Sequence, residues 1–164
     1  MPDLIELEIP ARPEYAALVR LVVSSLAGAR RELSDERLDD LKLAVSEACT
    51  NAIEAHGAIA TGDRVVLRCA ERDDRLIVAV EDRGSGFDPA ALPPHPPVTD
   101  PDRLNFERGL GLPLIRSLVD EVDIESSAGG TRVRLVVLCG PSGPAEPGYA
   151  DVEELLDGPE GLHP

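Results

Sequence analysis

Residues 84 to 109, GSGFDPAALPPHPPVTDPDRLNFERG, set the strongest limit on how this chain can fold. Proline removes backbone donors and glycine resists ordering, so the segment cannot hold long regular structure. A connection longer than ~12–15 residues inside a compact domain is usually functional or disordered. Every regular element must therefore come from the chain before it or after it.

Before it, LIELEI (4–9) puts Ile5, Leu7 and Ile9 on one face at period two, the pattern of a short strand. PEYAALVRLVVSSLAGA (13–29) reads as a mostly apolar helix with Pro13 in its first turn and Gly28 near its end. Ser34 followed by Asp35 and Glu36 gives an N-cap and an acidic first turn. The helix it opens keeps Leu38, Leu41, Val45, Ala48, Cys49, Ala52 and Ile53 on one stripe. RVVLRCAER (64–72) and RLIVAVED (75–82) are strands joined at Asp73-Asp74, most simply as an antiparallel hairpin. After it, LGLPLIRSLVDEV (110–122) reads as a helix that tolerates Pro113 in its first turn. VDIESS and TRVRLVVLC then form a second hairpin around Gly129-Gly130. The expected architecture is an α+β two-layer sandwich, a mixed and mostly antiparallel sheet with its helices on one face. One domain spans residues 1–139. The acidic, Pro- and Gly-rich tail 140–164 is expected to be disordered, with at most a short helix at DVEELL.

Composition narrows the function. The chain has 164 residues, 43% of them hydrophobic but only 2% aromatic, so its core must be aliphatic. A net charge of −15 argues against direct nucleic-acid binding, which depends on Lys and Arg. It suits protein partners or metal-chelated anions. No stretch reaches the ~18 apolar residues of a membrane span, and the N-terminal sequence does not read as a secretory signal. Cys49, Cys69 and Cys139 have no CxxC spacing and read as buried thiols in a reducing cytoplasm.

Lys42, in LDDLKLAV, is the one lysine, and no GxxxxGK[ST] loop precedes it. A nucleotide would have to be held by backbone amides and arginine. Two segments could do so. In EDRGSGFDP, Asp82 ends a strand, and Gly84 and Gly86 allow close approach of a ligand. In ERGLGLPLIRSL, Gly109 and Gly111 stand at a helix mouth that favours an anion, with Arg108 beside them. Taken singly, each has an ordinary alternative: a turn at Asp82, a tight start to a helix at Gly109 and Gly111, a surface arginine at Arg108. Glu47 and Asn51, four residues apart in SEACTNAIEAHG, could likewise be a solvated helix face.

Order and spacing together are more specific. EACTNAIEA, DRGSGFDP, RGLGLPLIRSLVDEV and GGTRVRL resemble the four boxes of the GHKL (histidine-kinase-like) ATPase superfamily, and within it the small bacterial anti-sigma-factor serine/threonine kinases. The resemblance spans roughly residues 5 to 139 and implies an α/β sandwich with an ATP lid at the proline-rich segment. It implies that Asn51 holds Mg²⁺ and that Glu47 is the general base. Asp82, with Thr131 nearby, would take the adenine amino group. Gly84 and Gly86 would flank the base, and Arg108, Gly109 and Gly111 would line the phosphates. A histidine that the family often carries near this point falls here at His56, which reads as a helix-end residue. The resemblance further implies ATP and Mg²⁺ as cofactors, a cytoplasmic homodimer, and two protein partners: a sigma factor and an anti-sigma-factor antagonist. Neither nucleic acid nor membrane is an expected partner. Three functions compete: an active kinase, an ATP-dependent adaptor without turnover, and a histidine-kinase fragment. Retention of Glu47 favours the first, because a binding module needs no base. The third needs a phosphoacceptor histidine on a dimerisation helix, which His56, His95 and His163 do not supply.

Overall fold

Period-two alternation becomes a five-stranded sheet and period-3.6 stripes become three helices on one side of it. A computed structural model describes residues 4–29, 33–56, 63–72, 74–84 and 111–140. The chain runs β1 (Leu4–Pro10), a 3₁₀ turn (Pro13–Tyr15), α1 (Ala16–Gly28), α2 (Asp35–His56), β2 (Arg64–Glu71) and β3 (Arg75–Asp82). It continues as α3 (Gly111–Leu118), β4 (Glu121–Ser127) and β5 (Gly130–Leu138). The strand order is β1-β2-β3-β5-β4, and every described pairing is antiparallel, so the sheet expected to be mixed and mostly antiparallel is antiparallel throughout its described strands. The tail and the proline-rich segment, with Gly86, Arg108 and Gly109, lie outside the described residues.

The helix-facing side of the sheet carries Ile9, Val65, Leu67, Cys69, Leu76, Val78, Val80, Val133, Leu135 and Val137, all buried. Val19, Val23 and Ala27 of α1 and the Leu41 to Ile53 stripe of α2 close over them. Each fully buried Val, Leu or Ile among them contributes about 1.5–3 kcal/mol. No aromatic is needed among the described core residues, in keeping with the composition. Cys49 and Cys69 sit in this core as free thiols, and burial pushes both up to about 12, with Cys69 adding to the rise at Cys49. The other side of the sheet is different in kind. Ile77, Ala79 and Val136 form a small apolar cluster. Arg68 beside it donates to Glu6 at 2.8 Å and to Glu81 at 2.6 Å.

Local signals hold at most boundaries. Ser34 Oγ accepts the Arg37 amide at 3.3 Å, the expected N-cap bond. Pro13 does open the first helical segment, as a 3₁₀ turn ahead of α1. One boundary differs: the third helix ends at Leu118, not at Val122. The Asp120 amide donates to Val136 O at 3.0 Å and its Oδ2 accepts the Leu138 amide at 2.8 Å, which draws the chain into the sheet. Arg37 pairs with the same carboxylate and donates to Leu118 O at 3.2 Å, capping the last turn of α3. From Glu121 onward the alternation is that of a strand paired with β5.

Candidate functional site

Two clusters build the site, one on the helices and one at the end of the sheet. On α2 the buried stripe takes Val45, Ala48, Cys49 and Ala52, which leaves Glu47 and Asn51 on the opposite, half-buried side. Residues four apart on a helix are neighbours, so the carboxylate and the carboxamide share one face. The first residue of α3, Gly111, is buried against Asn51: a Cβ there would lie 2.8 Å from Asn51 Nδ2 and 3.2 Å from Oδ1. The absence of a side chain is what lets the opening turn of α3 come this close. Unsatisfied amides at a helix start favour an anion, so the Glu47 and Asn51 row lies beside a place suited to phosphate.

At the sheet end, Asp82 closes β3 and is 5% exposed. Its Oδ1 accepts the Gly84 amide at 2.7 Å, an Asx turn that fixes the carboxylate. Gly84 is wedged between that oxygen and the last turn of α2: an added Cβ would meet Asp82 Oδ1 at 2.9 Å and Ala55 at 3.0 Å. This contact joins the two clusters. Thr131, 6% exposed, is the β5 partner of Asp82 in the ladder and shares its face. Gly130, at φ 137°, belongs to the left-handed region that glycine alone occupies easily. A Cβ on it would fall 2.0 Å from Asp82 O, so the hairpin turn rests directly on the Asp82 backbone. An open concavity of about 450 Å³ takes in Asp82, Ser126, Gly130 and Thr131, but neither Glu47 nor Asn51.

Of the residues singled out in the sequence, Glu47, Asn51 and Gly111 come together on the helices, and Asp82, Gly84 and Thr131 at the sheet end. Gly86, Arg108 and Gly109 lie outside the described residues. Ser126, whose hydroxyl is 2.8 Å from that of Thr131, was not singled out. Its only trace in the sequence is alternation in VDIESS, which puts it on the face of Val122 and Ile124. No group of three or more His, Cys, Asp or Glu among the described residues could enclose a metal ion. The Asn51 amide oxygen is a hard donor of the kind that can share Mg²⁺ with a ligand's own oxygens.

Known proteins share the sequence pattern and the fold of this chain. The sequence pattern of the histidine kinase-like ATPase domain matches residues 9–137. The serine-protein kinase RsbW of Bacillus pumilus is 41% identical over 135 residues, covering 79% of this chain and 82% of the relative. RsbW of Bacillus subtilis is 41% identical over 133 residues, with the same coverage of each chain. RsbW of Staphylococcus epidermidis is 38% identical over 133 residues, or 79% of this chain and 83% of the relative. Among solved structures, the RsbU and RsbW domains of a Mycobacterium tuberculosis protein superpose with a TM-score of 0.56 at 25% identity. That match covers 88% of this chain and 35% of the larger one. The histidine kinase domain of a blue-light activated kinase from Erythrobacter litoralis shares the fold, with a TM-score of 0.50 at 22% identity over 83% of this chain and 67% of that one.

Proposed function

The chain belongs to the histidine kinase-like ATPase family, and from that membership we infer an ATP-dependent serine/threonine protein kinase of the anti-sigma-factor type. It holds a sigma factor inactive and phosphorylates an antagonist protein that would otherwise release that factor. The working form is a cytoplasmic homodimer. Among the described residues no helix is long and apolar enough to cross a membrane. The nucleotide-binding unit is residues 1–139, with the acidic tail 140–164 outside it.

The observation that carries this reading is the seating of Gly111 against Asn51, which puts a helix start beside the shared face of Glu47 and Asn51. Asp82 would accept the adenine amino group of ATP, with Thr131 beside it and Gly84 along the base; Gly86 would join them as the family resemblance implies. The opening turn of α3 at Gly111 would hold the ATP phosphates, together with Arg108 and Gly109 as the family resemblance implies. Mg²⁺ bound by Asn51 would supply charge neutralisation between the phosphate oxygens. The Glu47 carboxylate takes the proton from a serine or threonine hydroxyl of the protein substrate. That oxygen then bonds to the γ-phosphorus as the bond to the β–γ bridging oxygen breaks, leaving ADP. Phosphoryl transfer needs chiefly positioning and charge stabilisation, and a general base adds about 10²–10⁴ in rate.

Transfer of labelled phosphate from ATP to candidate antagonist proteins from the same organism tests the reading. A phosphorylated serine or threonine on one of them is the expected result. ATP and sigma-factor binding without any transfer would make the chain an adaptor instead.

A further inference from the structure

Asp82, Thr131 and Ser126 are successive partners across three neighbouring strands: Asp82 faces Thr131 on β5, and Thr131 faces Ser126 on β4. Directly opposed residues put their side chains on one face, so the three form a row. Each lines the concavity at the sheet end. The Ser126 and Thr131 hydroxyls are 2.8 Å apart, the usual length of an O–H···O hydrogen bond. The backbone beneath is held in place by Gly130, which rests on Asp82 O.

A hydroxyl has one proton and two lone pairs, so the direction of one bond decides what the pair can offer elsewhere. We propose that Ser126 is a positioning residue for base selection: its hydroxyl donates to Thr131 Oγ1 and thereby turns the Thr131 proton toward the bound base. This rests on the reading of Asp82 and Thr131 as the groups that meet the adenine edge. Adenine presents an amino donor beside a ring-nitrogen acceptor. Guanine presents a carbonyl acceptor beside an N–H donor. A carboxylate acceptor next to a hydroxyl held as donor pairs with the first and opposes the second at both positions. Once the Ser126 hydroxyl is removed, Thr131 is free to rotate and offer a lone pair, which eases the second mismatch. A site built around fixed polar partners discriminates because the wrong ligand leaves them unpaired.

The test titrates ATP and GTP, each with Mg²⁺, into the full chain and takes the ratio of their affinities. Ser126→Ala should lower the ATP preference about 3–10-fold, the scale of one hydrogen bond. Phosphotransfer at saturating ATP and the melting temperature should stay near wild type. Ser126→Val, which keeps a strand-favouring shape, should behave alike, and Ser126→Thr should restore the ratio. Equal losses for ATP and GTP in Ser126→Ala and Ser126→Val would make the role structural and overturn the proposal. An unchanged ratio in both, while Thr131→Val lowers it, would overturn the proposal and leave the base site standing. Should Asp82→Ala and Thr131→Val also leave the ratio unchanged, the base-site reading fails, and the proposal with it.

Discussion

The two clusters of the site are built to different tolerances. At the sheet end, Asp82 and Thr131 are nearly buried, and ladder register fixes each relative to the other. A glycine at φ 137° presses the β4–β5 turn onto the Asp82 carbonyl, so no side chain fits there. On the helices, Glu47 and Asn51 are half-buried on the outer side of α2, and Gly111 is the close neighbour that positions Asn51. The difference matches what each end would meet under the proposed function. A flat base is read by groups that must not move. A hydroxyl on a second protein can be reached only by a base that is partly open to solvent. Rigidity and access are therefore divided between strands and helices, with Gly84 against Ala55 as the joint.

The largest expected effect lies at the sheet end. Gly130→Ala combines a left-handed backbone with a Cβ placed 2.0 Å from Asp82 O, and should cost several kcal/mol or prevent folding. Urea denaturation measures it, and a variant of native stability would show that the turn can retreat from Asp82.

Next comes the core that joins the helix layer to the sheet. Cys49 and Cys69 have folded pKa values raised from 9.0 to about 12. A thiol whose pKa is raised by folding holds its proton more tightly in the fold. Its contribution is complete below pH ~9 and is lost as pH rises toward 12, by up to about 1.4 kcal/mol per pH unit for each group. Stability measured from pH 8 to 11 should fall less in the Cys49→Ala, Cys69→Ala double variant. Parallel curves would place the loss in other groups.

Gly111→Ala should act more locally. Its Cβ would lie 2.8 Å from the end of the Asn51 side chain, which can rotate away, so the fold should survive. Displacing a metal-holding group costs roughly tenfold in affinity. Calorimetry should show that loss for Mg·ATP, and an unchanged affinity would separate Asn51 from the metal. The smallest effect is expected on the helix-free side of the sheet. Arg68→Ala breaks its bonds to Glu6 and Glu81, should cost about 1 kcal/mol or less, and should leave nucleotide affinity alone.

Legibility in the sequence divides along the same line. Apolar patterning located the five strands and the three α-helices, but the 3₁₀ turn at Pro13–Tyr15 reads in sequence as the start of α1, and β3 is a continuous apolar run without alternation. The end of α3 was misplaced because Leu118, Val119 and Val122 continue a helical spacing. What ends the helix is Asp120, held by Arg37 and by the Leu138 amide. Those partners come from remote parts of the chain, and no local pattern announces them. Within the site, helical spacing alone puts Glu47 and Asn51 on one face, whereas their proposed roles needed the family resemblance. The pairing of Asp82 with Thr131 needed the family resemblance, since β3 and β5 are separated in sequence by α3 and β4. Ser126 escaped notice because a serine in a strand is unremarkable until the register sets it opposite Thr131.

The division of labour between the two ends is tested most directly by following Glu47→Ala and Asp82→Ala through one pair of assays, Mg·ATP binding and transfer to the antagonist at saturating ATP. Glu47→Ala should bind Mg·ATP nearly as wild type does and transfer phosphate about 10²–10⁴-fold more slowly. Asp82→Ala should show the reverse, with affinity for ATP and ADP falling together and transfer largely retained once the site is filled. Wild-type transfer by Glu47→Ala, or loss of binding and transfer together in both variants, would contradict the assignment of chemistry to the helices and base recognition to the sheet.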